Sequence, residues 1–206
     1  RILLATGNRG KLREFERILP DGWRLDGLCD LPGWTPPLED APTFAGNAAI
    51  KALAAARGYD GLVIADDSGL EVDALGGRPG VHSARFAGEH ADDAANRAKL
   101  LAELARPGVA GERRSARFRC VIVAAHAGGQ VGEFEGVVEG AIARAEAGGN
   151  GFGYDPLFIP DGYSCTFAQL DPDAKHAVSH RGRAFAALLA SGLLARFPSQ
   201  AGRWRR

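Results

Sequence analysis

The sequence has no methionine, only three cysteines and no excess of either charge, and each shortage narrows what the chain can be. With no Met at all, an initiator included, the expectation is that a residue or two of the gene product precedes Arg1. Cys29, Cys120 and Cys165 form an odd, widely spaced set with no C-x-x-C pair. That argues against a disulfide framework or a zinc site and fits a reducing, cytoplasmic setting. The 25 basic and 25 acidic residues cancel to a formal charge of zero, which removes the usual electrostatic case for a nucleic-acid or membrane-surface partner. No apolar run approaches the ~20 residues of a bilayer-spanning helix. Residues 1–5 are too short an opening for a signal peptide. Repeats and low-complexity segments are missing as well.

What remains is a chain of 206 residues, 46% hydrophobic, long enough for one domain with a sizeable core, in one or two lobes. Hydrophobic spacing predicts strands over 2–5, 23–28, 62–65, 117–125 and 131–144. Helices are predicted over 11–19, where Leu12, Phe15, Ile18 and Leu19 share a face, over the Ala-rich 43–57, over 92–105, and over 183–197. Gly128-Gly129 joins the two longest strands as a hairpin. A Pro-rich connection covers 31–42, and Gly-rich loops cover 76–80 and 148–156. The basic end, Arg203-Trp204-Arg205-Arg206, reads as a frayed tail. Alternating strands and helices with one hairpin argue for an α/β fold around a mixed sheet.

Candidate chemistry lies where these elements meet. Thr6-Gly7-Asn8-Arg9-Gly10-Lys11 is a small-residue turn between a strand and a helix, where backbone N–H groups and the positive helix end suit an anion and Lys11 adds a charge for phosphate. It is not a P-loop, since G-x-x-x-x-G-K-[ST] is absent, and taken alone it is equally a βα turn with a solvated lysine. Asp66-Asp67-Ser68-Gly69 is read as ending an apolar strand. Two adjacent carboxylates are costly to keep ionised together unless a cation neutralises them. Mg²⁺ takes one or two carboxylates and leaves the rest of its shell to water and phosphate; a turn with one capping aspartate is the other reading. Asn47 and Lys51, four apart, share a helix face, and Glu39 and Asp40 stand just before that helix, as caps or as contributors to the same site. Gly151-Phe152-Gly153-Tyr154-Asp155-Pro156 interleaves glycines with two aromatics and a carboxylate, a pattern that lets backbone and ring faces approach a base. Ser179-His180-Arg181-Gly182 places donors on a turn. The remaining histidines have no ligand spacing.

Together, and in this order, these motifs resemble the inosine/xanthosine triphosphate pyrophosphatase family; Gly76-Gly77-Arg78-Pro79-Gly80 with Ser83-Ala84-Arg85 belongs to the same pattern. The resemblance runs from Ile2 to the final helix. It implies a homodimeric, Mg²⁺-dependent enzyme with an elongated mixed twisted sheet, flanking helices and two lobes around a nucleotide cleft. The implied reaction cleaves ITP, dITP and XTP to the monophosphate and pyrophosphate, by water attack at the α-phosphorus. Carried over residue by residue, Thr6, Gly7, Asn8, Arg9, Gly10 and Lys11 resemble the triphosphate loop, with Lys51 as a second clamp. Asp67 resembles the catalytic carboxylate that also holds metal, with Ser68 a substrate contact beside it. Phe152, Gly153, Tyr154 and Asp155 resemble the base and sugar segment, and Lys175, His180 and Arg181 the base-reading elements. Leu38 stands where the family usually has the first of two Glu, and Gly46 where it usually has Glu before Asn. Glu39 is left as the second candidate metal ligand. A pyrophosphatase for modified pyrimidine nucleotides and a non-catalytic nucleotide sensor are the alternative readings.

Overall fold

Ile2-Leu3-Leu4 is buried at every position, as a strand covered on both faces must be. In the computed structural model, which describes residues 1–28, 34–109, 114–197 and 203–204, it opens the chain. Cys29, residues 31–33 of the Pro-rich connection and Arg205-Arg206 lie outside the described residues. The elements are β1 (Ile2–Leu4), α1 (Arg9–Ile18), β2 (Leu25–Gly27), α2 (Phe44–Ala56), β3 (Tyr59–Asp60), β4 (Leu62–Val72), α3 (Asp93–Leu104), β5 (Ser115–His126), β6 (Gly129–Ile142), β7 (Phe158–Pro160), α4 (Pro172–Val178), α5 (His180–Ala190) and β8 (Arg203–Trp204). Six strands form one sheet in the order β2-β1-β4-β5-β6-β7. β1 pairs in parallel with β2 and β4, and β6 pairs antiparallel with β7. The sheet is therefore mixed, as the alternation of elements implied. Ala127 and Gly128, with φ of 50° and 79°, make the tight connection between β5 and β6.

The chain divides into two compact units. The first comprises Arg1–Asp67, Cys120–Gly136 and Arg181–Arg206. Its core gathers Ile2, Leu4, Phe15, Ile64, Ile122, Phe185 and Leu188, with the rings of Phe15 and Phe185 edge to face at 5.8 Å. α1 starts where the Asn8 side chain accepts from the N–H groups of Gly10 and Lys11, and α2 where Thr43 accepts from Gly46. α2 buries Ala48, Ala52, Ala55 and Ala56 completely; methyl-sized side chains bring its backbone close to what it covers. The second unit comprises Ser68–Arg119 and Val137–His180, around Leu70, Val72, Leu100, Phe118, Tyr154, Phe158 and Phe167.

Three expectations need correcting. The carboxylate pair does not end its strand: β4 runs on to Val72, because Leu70 and Val72 beyond the pair are fully buried in the second unit's core. The predicted C-terminal helix stops at Ala190, where Gly192 takes a left-handed φ of 70° and a 3-10 turn over Leu193–Arg196 follows; ahead of it α4 forms a separate helix. Within the basic end, the described residues Arg203-Trp204 are not frayed. Trp204 pairs with Tyr59 in a two-stranded ladder, its ring 5.7 Å from that of Tyr59 and 6.0 Å from that of Trp34. A Cβ on Gly58 would lie 2.6 Å from the same indole, so glycine there makes room for it.

Candidate active site

In the first unit, the turn after β1 carries residues 6–11 into α1. Asn8 N–H donates to Thr6 Oγ1 at 3.2 Å, and the Asn8 side-chain oxygen accepts from Gly10 and Lys11 at 2.8 and 3.1 Å. Those three donors are closed on side chains, so the turn offers an anion mainly the positive helix end. Gly7, Asn8 and Arg9 are exposed. Lys11 turns inward, its Nζ 2.9 Å from Asp66 Oδ2. Arg181, at the start of α5, donates through Nη1 to Glu14 at 2.8 Å and brings Nε within 3.6 Å of the same Asp66 oxygen. Burial alone would raise the Asp66 pKa, but Lys11, Arg181 and Lys51 outweigh it and hold the carboxyl well below the usual carboxylate range.

Asp67 takes its partners from α2. Asn47 Nδ2 donates to Asp67 Oδ2 at 3.2 Å, and Lys51 Nζ lies 3.7 Å from Oδ1. The same Lys51 Nζ is 2.7 Å from Glu39 Oε2. Burial, with Asp66 next door, pushes the Asp67 pKa up against the pull of Lys51 and Lys11. For Lys51, burial favours the neutral amine, yet Asp66, Asp67 and Glu39 prevail and hold the ammonium above its ordinary value. Glu39 is positioned by its own segment: the Asn47 side chain accepts from Ala41 N–H at 2.9 Å, and a Cβ on Gly46 would fall 2.6 Å from the Ala41 Cβ. Gly46 thus lets residues 39–41 lie against α2. Glutamate at 46 would displace the segment that carries Glu39.

Glu39 and Asp67 flank one ammonium, a point that already draws a cation. Among the described residues no group of three or more His, Cys, Asp or Glu could enclose a metal. That donor set fits Mg²⁺, which is held by one or two carboxylates and completed by water and phosphate oxygens.

In the second unit, Lys175 and Asp155 form a buried ion pair at 2.7 Å. The ammonium stands 5.3 Å from the centre of the Phe152 ring and 5.9 Å from that of Phe167. Phe152 N–H donates to Asp155 Oδ2 at 2.8 Å, and Gly153 N–H to Asp93 Oδ2 at 2.7 Å, so the loop backbone is tied down. Tyr154 does not offer a ring face to a ligand: it is core, with its hydroxyl donating to the Ser83 carbonyl at 2.9 Å. His180 stacks on Phe118 at 4.6 Å and is 1% exposed, which makes it an interior ring rather than a donor on an open turn. Ser68 follows the carboxylates on β4, half-buried.

Lys11, Lys51, Asp66, Asp67, Glu39 and Arg181 therefore cluster within the first unit, while Phe152, Gly153, Asp155 and Lys175 cluster within the second. Glu14, which holds Arg181, did not stand out in the sequence; its only signal is its place one turn after Lys11 on α1.

A mixed α/β protein with paired carboxylates and lysines beside a helix N-terminus has the chemistry of a class that handles phosphate groups. The model of the Ham1 family matches residues 2–191, and the chain belongs to that family. It is 52% identical over 185 residues to the dITP/XTP pyrophosphatase of Desulforamulus reducens, covering 89% of this chain and 91% of that one. To the dITP/XTP pyrophosphatase of Bacillus subtilis it is 47% identical over 184 residues, covering 88% and 91%. Among solved structures, the Ham1 protein of Staphylococcus aureus superposes with a TM-score of 0.80 at 42% identity, over 95% of this chain and 98% of that one.

Proposed function

We propose that the protein is a nucleoside triphosphate pyrophosphatase that hydrolyses the non-standard purine nucleotides dITP, ITP and XTP to the monophosphate and pyrophosphate. The family membership and the relatives' activity support the substrate class. The observation that carries the chemistry is the Glu39–Lys51–Asp67 arrangement next to the Lys11–Asp66 pair. Asp67 and Glu39 would hold Mg²⁺, which when bound supplies neutralisation of the triphosphate charge. Asp67, whose pKa is raised, takes the proton of the attacking water. The water oxygen bonds to the α-phosphorus as the bridging P–O bond to the β-phosphate breaks, and pyrophosphate leaves with that electron pair. Lys51 and Lys11 face the phosphates, and Asp66, kept ionised, fixes Lys11 and Arg181. Phe152, Gly153, Asp155 and Lys175 contact base and sugar. On this reading residues 1–206 are one pyrophosphatase domain of two units, acting in the cytoplasm as a homodimer on free nucleotides. No helix among the described residues is long and apolar enough to cross a membrane.

Pyrophosphate release measured over a panel of purine and modified pyrimidine triphosphates with Mg²⁺ tests the proposal. Turnover of dITP, ITP and XTP that stops on chelation and returns with Mg²⁺ is expected. Release of inorganic phosphate in place of pyrophosphate, or full activity after exhaustive metal removal, contradicts it.

A further inference from the structure

A cavity of about 630 Å³ opens in the second unit, where the end of α3 meets the approach to β5 and the exit from β6. That volume is within the range of small-molecule sites, roughly 300–1,000 Å³. Its floor is apolar, from Leu101 and Leu104, and among the described residues its polar lining is three arginines, Arg106, Arg114 and Arg144, and no acidic residue. The two strand-end arginines are brought together by the backbone: Ile142 N–H donates to the Arg114 carbonyl at 2.9 Å.

Nothing among the described residues neutralises this group. Glu103, on the same helix, pairs with Arg78 at 2.9 Å, and Glu146 pairs with Arg97 at 2.9 Å. Arg114 has Nε and Nη2 shielded from solvent without a hydrogen-bond partner. Buried donors in that state are rare in folded proteins, and an ion or ligand is one of the few things that explains them. Burial, then the Arg144 charge, lowers the Arg114 pKa, so the two guanidinium groups repel across the cavity. Guanidinium forks match phosphate oxygens in pairs.

The geometry points to a binding site for a phosphate monoester, with the phosphate between Arg114 and Arg144, Arg106 at the mouth, and an apolar substituent against Leu101 and Leu104. The site belongs to the second unit, whereas the Asp67 cluster belongs to the first, and the reaction does not call on it; its occupant relieves the arginine repulsion and stabilises the second unit.

Calorimetric titration with phenyl phosphate and with inorganic phosphate, at constant ionic strength set with chloride, tests this in the full chain. Phenyl phosphate is expected to bind at least ten-fold more tightly than inorganic phosphate, because only it covers the apolar floor. In the Arg114→Gln/Arg144→Gln double variant the affinity should fall at least ten-fold, with ITP turnover in phosphate-free buffer unchanged. Arg144→Gln alone, at an exposed position, should weaken binding by a smaller factor and serves if the double variant fails to fold. Lys11→Gln should leave the phenyl phosphate isotherm unaltered. Equal isotherms for the wild-type and arginine variants overturn the proposal, as does loss of binding in Lys11→Gln, which would assign the anion to the turn after β1.

Discussion

At the scale of single residues, Asp66 and Asp67 are neighbours in sequence with opposite lots. Asp66 is fully buried, bound to Lys11 and kept ionised, whereas Asp67 is bound more loosely and pushed toward the neutral acid. On the proposed mechanism the base is Asp67, because Asp66 is locked to Lys11 and Arg181 whereas burial and Asp66 raise the proton affinity of Asp67. Asp67→Asn should keep the fold and lower kcat by at least ~100-fold, the scale for losing a general base; steady-state pyrophosphate release with circular dichroism checks it. Two tyrosines give a pH prediction. Burial pushes both Tyr59 and Tyr154 well above the ordinary value of 10.0, helped by Asp26 and Asp93 respectively. A raised pKa means that the native state holds the proton longer than the unfolded chain. The stability it contributes is complete below pH 10 and is lost as the pH rises beyond it. Urea midpoints should therefore fall between pH 9 and pH 11, and fall less steeply in Tyr154→Phe. The residue types at these sites were readable in advance, but their partners were not. That Lys11 and Arg181, 170 positions apart, meet on one Asp66 oxygen is a product of chain topology, which spacing along the chain does not encode.

At the scale of elements, periodicity located most of the secondary structure, because the helices bury one face and the central strands read as apolar runs. It failed where the driving force is tertiary. β4 continues past two carboxylates since Lys11 neutralises one of them and the next core begins at Leu70. α4 is short and begins at Asp171-Pro172; Asp171 caps it, and its seven residues are too few for a clear helical period. α2 shows how an element sets a site. Gly46 costs the helix about 1 kcal/mol of propensity relative to Ala, yet its missing Cβ is what lets residues 39–41 lie close. Gly46→Ala should accordingly leave the melting temperature nearly unchanged while raising the Mg²⁺ concentration for half-maximal turnover several-fold, because Glu39 is displaced. Metal titrations of activity beside thermal unfolding separate the two effects. A rise in melting temperature with unchanged Mg²⁺ dependence would mean that the segment gives way freely.

At the scale of the whole molecule, Trp204 near the end of the sequence is structural. The tail expected to fray instead seats Trp204 against Trp34 and Tyr59. Two aromatic pairs at about 0.5–1.5 kcal/mol each make Trp204→Ala about 1–3 kcal/mol less stable by urea unfolding. The isolated Trp gave no hint of this, since a two-residue strand is too short for any period to show. The division into units also gives the chain a direction in time. The second unit is complete once His180 has been made, but the first unit also needs Arg181–Arg206, with Phe185 and Leu188 to enclose Phe15. Domains emerging from the ribosome fold as their residues become available. Here residues 1–67 precede the second unit in synthesis but are enclosed after it. A nascent chain stalled near His180 would carry one finished unit and, in the other, an apolar surface still waiting for Phe185 and Leu188.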